Sequence, residues 1–295
     1  MNTRYLDWSE FHNRLILEAQ LTMDTALRIG SGDASTAVGP YIPVVRNALG
    51  QPYIPGSSFK GVLRSIVERF ARTVDCKPDL WACEDPLALK NPRNGACVPS
   101  KGKGENGERK GKDLLLAASQ VNGQVDERAF TNALVAHTCT VCRLFGSPWL
   151  ASKIQVKDLV LDEVTWLGHV ELRYGVAIDR DTRTAAPHHL YQFETVPAGT
   201  EFRCEIIAEN INPLEIGLLM LGLRQMQEGQ VSLGGARSRG LGWATLSDLT
   251  AGWVDGKDKN RLLDYVTQGK VEQLSSVQLQ EYIKSLKAVV AGGGV

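Results

Sequence analysis

Residues 233–243 read LGGARSRGLGW, four glycines set around Arg237 and Arg239. Glycine turns the backbone through positive φ and lets another chain approach its N–H groups closely. Arginine presents a planar fork of donors matched to phosphate oxygens. The pattern suits a loop that holds a polyanion, with Gly234, Gly235, Arg237 and Arg239 as its contacts. A second segment, IGSGDAS at 29–35, places Asp33 in a glycine-flanked turn beside Gly30 and Ser31. Such an aspartate either bonds its own backbone or serves as a general acid/base or cation ligand beside a phosphate. The local sequence leaves both open. A third segment, IPGSSFKG at 54–61, lacks the GK[ST] ending of a nucleotide-hydrolysing loop. What remains is a helix N-terminus with Gly56, Ser57, Ser58 and Lys60, suited to an anion, or an ordinary serine-capped helix.

Six cysteines in 295 residues are too sparse for a disulfide scaffold. Cys139 and Cys142 form a CxxC, with Cys76, Cys83 and Cys97 upstream and His137 adjacent. Cys83, Cys97, Cys139 and Cys142 are the preferred tetrahedral zinc set, with Cys76 or His137 as substitutes. A structural Zn2+ there would pin a segment with little core of its own. A redox pair is the rival reading, but no βαβ context surrounds this CxxC. Unliganded buried thiols are the plain alternative, and Cys204, in a strand-like run, is expected to be one. Residues 175–191, GVAIDRDTRTAAPHHLY, carry Arg180, Arg183, His188 and His189 between two strand-like runs. They read as a long hairpin arm able to contact bases or phosphates, or as a solvated loop.

The elements that must position these groups follow from periodicity. RLILEAQLTM at 14–23 alternates as a strand leading into the first glycine loop. Phe59, Val62, Leu63, Ile66, Val67 and Phe70 recur at helical spacing behind Ser57 and Ser58. Lys60, Arg64, Arg69 and Arg72 then lie on the outer faces of that helix. From about 75 to 112 cysteines, prolines and PSKGKGENGERKGK mark a mobile insertion. Its lysine-rich part is expected to be solubilising. Order returns near 129–144. Strands are expected at 153–162, 169–178, 190–196 and 201–209, a helix at 213–228, and a last strand over GWATLSDL. Two weaker helical patterns follow residue 258. Strand, helix, strands, helix, loop and strand in this order predict an α+β chain built on a modified ferredoxin-like unit. Formal net charge is zero and no apolar run approaches bilayer length, so polyanion binding must be local and a cytoplasmic location is expected.

LRIGSGDASTAVG, PYIPGSSFKGVLRSIVERF, CRLFGS at 142–147 and LGGARSRGLGW stand in the order in which the RAMP (repeat-associated mysterious protein) superfamily carries them. The chain resembles most the backbone subunits of type III CRISPR effector complexes, over roughly residues 14–248. That resemblance implies a modified RNA-recognition-motif fold spanning 1–258, with a thumb hairpin at about 175–191. It does not explain the 75–112 segment or the chain after 258; a cysteine-rich, zinc-binding insertion at about 75–128 and a helical tail at 259–295 are expected from the residues themselves. The implied partners are a CRISPR guide RNA, a complementary target RNA and other effector subunits, with no membrane. The implied RNA contacts are Gly30, Ser31, Gly56, Ser57, Ser58, Lys60, Arg64, Arg180, Arg183, Gly234, Gly235, Arg237 and Arg239. Asp33 matches a family carboxylate that supports endoribonuclease cleavage of the target with a divalent cation (Mg2+ or Mn2+). Two alternatives accompany this: a non-catalytic scaffold in the same complex, and a stand-alone RNA-processing enzyme relying on His188 or His189.

Overall fold

The structure, a computed structural model, describes residues 10–30, 41–83, 119–121 and 124–292, together with Trp8 and Cys97. Its elements in chain order are β1 (Asn13–Met23), β2 (Tyr41–Ile42), α1 (Gly56–Val74), β3 (Gln120–Val121), β4 (Gln124–Val125), α2 (Glu127–His137), α3 (Thr140–Phe145), β5 (Ile154–Val156), β6 (Val160–Leu161), β7 (Glu171–Ile178), β8 (Ala185–Thr195), β9 (Glu201–Glu209), α4 (Pro213–Gln227), β10 (Val231–Ser232), β11 (Trp243–Asp255), α5 (Lys259–Gln268), β12 (Glu272–Gln273) and α6 (Ser276–Gly292). The chain is thus mixed α and β. The mobile insertion expected within 75–112 falls largely on residues outside those described.

The main sheet is antiparallel, in the order β10-β11-β1-β9-β5, with β12 also on β11 and β6 also on β9. Its centre, β1, alternates as its sequence demands: Leu15, Leu17, Leu21 and Met23 are buried on one face. Against that face pack Phe59, Leu63 and Val67 of α1 and Leu218, Leu219 and Leu223 of α4, in one core. Each such side chain contributes about 1.5–3 kcal/mol by leaving water. α4 starts where Asn212 accepts from Glu215 N and the Glu215 side chain accepts from Asn212 N, with Pro213 in the first turn.

Two strand expectations are revised. The run 153–162 is two short strands, because Leu159 turns aside to bond Ile54 and Asp158 turns to the start of α1. The last strand runs on to Asp255, past a one-residue register shift opposite Glu18–Gln20 where Asp248 sits at φ 51°. Residues after 258 dock on this framework. β12 pairs with β11, and α6 lies on α4, where a Cβ at Gly217 would sit 2.4 Å from the Tyr282 carbonyl oxygen.

Lys153 and Glu215 form a buried ion pair, Nζ to Oε2 2.7 Å, with both side chains 3% exposed. Burial, more than the carboxylate can offset, holds the Lys153 pKa below its usual value. Lys153→Met leaves the Glu215 carboxylate in the core without its cation, and is expected to cost about 3–5 kcal/mol. Lys153→Met/Glu215→Leu should recover much of that loss in urea unfolding. A single variant as stable as the native chain would show that the pair contributes nothing.

Candidate nucleic-acid interface and thiol cluster

The 54–61 and 233–243 glycine segments, about 170 residues apart in sequence, meet across a polar cleft of about 460 Å³. Ser57, Ser58, Ser65 and Arg69 of α1 form one wall; Gln230, Ser232, Gly234 and Arg237 form the other. Three hydroxyls on one helical face and an arginine on each side can bond phosphate oxygens without reading bases. The helix start itself is arranged differently from the serine-capped terminus expected. α1 begins at Gly56 after Pro55, and the Gly56 N–H donates to Asp158 Oδ1 at 2.8 Å. A carboxylate of the chain therefore occupies the positive end of the helix. Gly56 is required for close packing: a Cβ there would sit 2.2 Å from the Val156 carbonyl oxygen.

Lys60 and Arg64 point away from this cleft. Lys60 Nζ donates to Ser152 Oγ at 2.6 Å, and burial, followed by the Arg64 charge, lowers its pKa. Arg64 donates to Glu68 (2.8 Å), the Gly146 carbonyl (2.9 Å) and Cys142 Sγ (3.3 Å).

The 233–243 loop also uses its glycines inwardly. Gly235 N donates to the Arg28 carbonyl at 2.8 Å and Gly242 N to the Ala26 carbonyl at 2.9 Å. A Cβ at Gly234 would lie 2.2 Å from the Arg28 oxygen, and one at Gly242 would lie 1.9 Å from the Leu233 oxygen. Both glycines have positive φ, 73° and 82°. The Gly235 and Gly242 N–H groups and the close contacts at Gly234 and Gly242 thus serve the fold, so at these positions the backbone is not bare as expected. What the loop presents outward is Arg237 and Arg239, both exposed in a short 3-10 turn.

Residues 171–195 form a regular hairpin arm and not a solvated loop. β7 and β8 pair along most of 171–195, leaving a turn at 179–184. Asp179 Oδ1 closes that turn by accepting from Asp181 N, Thr182 N and Thr182 Oγ1, which lowers its pKa. Arg180 and Arg183 are exposed at the tip; His188 and His189 lie in β8. Tyr191 covers Gly175 across the pair, since a Cβ at Gly175 would meet the tyrosine ring at 2.2 Å.

Asp33 and Ser31 lie outside the described residues. Both ends of their loop are fixed: Gly30 bridges to Val44, and β2 runs parallel to β8 with Ile42 opposite Phe193. The loop therefore starts and ends at the root of the hairpin. Arg28, which the sequence did not single out, stands at this root with its guanidinium 4.5 Å from the Phe193 ring centroid.

Cys83, Cys97, Cys139 and Cys142 converge, with all four Sγ atoms within 4.8 Å of one another. Sγ–Sγ distances are 3.5 Å for Cys83–Cys142 and 3.7 Å for Cys83–Cys139. Zn–S bonds of about 2.3 Å in a tetrahedron put sulfur atoms about 3.8 Å apart, so the donor set fits zinc. Cys142 N donates to Cys139 Sγ at 3.3 Å. Hydrogen bonds from Cys142 first, then from Cys83 and Cys97, push the Cys139 thiol pKa down. The two substitutes are elsewhere: Cys76 Sγ donates to the Val74 carbonyl, and exposed His137 bonds Ala133. Among the described residues this is the only group of three or more such ligands. No helix is long and apolar enough to cross a membrane.

Comparison with known proteins agrees with these motifs. One similar protein is CRISPR system Cms endoribonuclease Csm3 of Methanocaldococcus jannaschii, 23% identical over 249 residues, covering 80% of this chain and 79% of the relative. A protein of the same name from Streptococcus thermophilus is 24% identical over 264 residues, covering 85% and 96%. The family model for the RAMP superfamily matches residues 20–245, a span that holds both walls of the cleft, the hairpin and all four converging cysteines. By that match the chain belongs to the RAMP superfamily.

Proposed function

We propose that this chain is a backbone subunit of a type III CRISPR effector complex, binding guide RNA along its phosphates and cleaving complementary target RNA. The observation that carries the reading is the cleft joining the α1 serines to the Arg237 loop. Sequence would be supplied by base pairing, and the protein needs only backbone contacts. The order β11-β1-β9-β5, with α1 and α4 in the connections, supports a modified ferredoxin-like unit. RNA is assigned to the cleft side because the opposite sheet face is of mixed charge, Glu18, Glu201 and Glu205 interleaved with Arg14 and Arg203. On that face Arg14 also bonds Tyr265 of α5.

Catalysis is assigned to Asp33, acting on a target 2′-hydroxyl as it attacks the adjacent phosphate. A divalent cation, when bound, would neutralise charge on that phosphate. It would rest on Asp33, phosphate oxygens and water, an arrangement Mg2+ accepts. Arg180 or Arg183 at the hairpin tip would face the charged phosphorane. Zinc is assigned a separate, structural place on Cys83, Cys97, Cys139 and Cys142.

Expressed with its neighbouring subunits, the chain is expected to co-purify with RNA, and sequencing should return repeat–spacer transcripts. Arg69→Glu/Arg237→Glu should reduce retained RNA at least about tenfold, by reversing charge on both cleft walls. An assembly that forms without RNA would overturn the reading.

A further inference from the structure

At the root of the hairpin, two arginines from different segments share one aromatic stack. The Arg28 guanidinium lies over Phe193, 4.5 Å from the ring centroid. Arg239 lies over Tyr191 at 5.8 Å and donates to its hydroxyl. The two rings are stacked with centroids 5.9 Å apart and planes 25° from parallel. Several other arginines have carboxylate partners: Arg14 with Glu209, Arg46 with Glu194, Arg64 with Glu68, Arg224 with Glu228. Among the described residues, no carboxylate pairs with Arg28 or Arg239. Strand alternation sends Glu194, next to Phe193, to Arg46 and the Val44 N–H. Burial first, and the Arg239 charge second, hold the Arg28 pKa below its usual value.

The placement is built in. Gly234 lets the 233–243 loop press on the Arg28 carbonyl, Gly235 N bonds that oxygen, and β2 fixes Phe193 through Ile42. Two guanidiniums stacked on rings hold their donor forks in a fixed orientation, with one Arg239 nitrogen engaged by the Tyr191 hydroxyl, an arrangement lysine cannot make. A phosphodiester has two unbridged oxygens and one negative charge, which answers both forks.

We propose that Arg28 and Arg239 together grip a single RNA phosphodiester at the root of the hairpin. The proposal rests on the RNA-guided reading above and names a contact within it.

The test uses the assembled complex and RNAs carrying one methylphosphonate, a neutral phosphate replacement, moved stepwise along the guide in one series and along the target in the other. In the wild-type complex one position is expected to weaken RNA binding about tenfold, the effect of one charge-assisted contact. Arg28→Gln and Arg239→Gln should each weaken unmodified RNA similarly, and the double variant little more than either. In both variants the same methylphosphonate should cost nothing further. The salt dependence should fall by about 0.7 in log–log slope, the single-strand value for one phosphate. Arg28→Lys and Arg239→Lys, which keep the charge and lose the fork, should fall between. The series in which the coupled position appears tells whether guide or target supplies the phosphate. If the wild type binds RNA and no methylphosphonate in either series couples to the arginines, the site is wrong and the RNA-guided reading stands. If the wild-type complex holds no RNA, both fall.

Discussion

In an assembled complex, Asp33→Ala is expected to lower target-RNA cleavage by about a thousandfold, within the range a positioned proton acceptor contributes, while guide retention and target binding stay at wild-type levels. The split follows from where the contacts lie. The cleft walls and the Arg28–Arg239 stack come from α1, the 230–239 segment, β8 and Arg28 itself, and Asp33 is in none of these contacts. The described residues on either side of it are paired, Gly30 with Val44 and β2 with β8, and a change at residue 33 leaves those backbone pairings alone. Asp33→Asn keeps size and loses the charge, so it should be as inactive as alanine if the carboxylate binds a cation or takes a proton. Cleavage that continues at wild-type rate in the Asp33→Ala complex would make this subunit a scaffold and place the cutting on another chain. Cleavage of repeat RNA by the isolated protein in chelator would point instead to His188 or His189.

How much of this was readable in the residues differs by element, for physical reasons. β1 and α1 were legible because one buries alternate residues and the other buries every third or fourth, and both faces meet the same core. The break between β5 and β6 was not, since Asp158 and Leu159 leave the strand for partners at Gly56 and Ile54, a hundred residues away. The cysteine set was legible because four converging thiols have few other uses. The glycine loop was half legible. A glycine needed for a ligand and one needed for the Arg28 or Leu233 carbonyl look alike in sequence, and only the fold shows which these are. Arg28 was missed because its partners stand at 191, 193 and 239, and nothing local marks it.

Cys139→Ser should remove the metal altogether: about one zinc per native chain, and none in the variant. The expected loss of stability is large, because structural zinc binding contributes about 10–16 kcal/mol in small domains. Here Cys139 is also fully buried, leaving a serine hydroxyl in its place without the ion. Cys204→Ser is the control: burial pushes its thiol up to about 12, it stands apart from the cluster, and its variant should keep zinc. The consequence reaches the cleft through Arg64. Four thiolates around Zn2+ carry a net charge of about −2, and the Arg64 guanidinium on Cys142 Sγ neutralises part of it from the helix that bears Ser57 and Ser58. Zinc loss should therefore loosen α1 and weaken RNA retention, with faster proteolysis near residue 83. The two metals separate by affinity. Brief EDTA treatment that stops cleavage, leaves zinc bound and is reversed by Mg2+ alone assigns the labile ion to Asp33 and the tight one to the thiols. A purified chain without zinc, whose Cys139 and Cys142 react freely with thiol reagents, would defeat the structural assignment while leaving the Asp33 prediction intact.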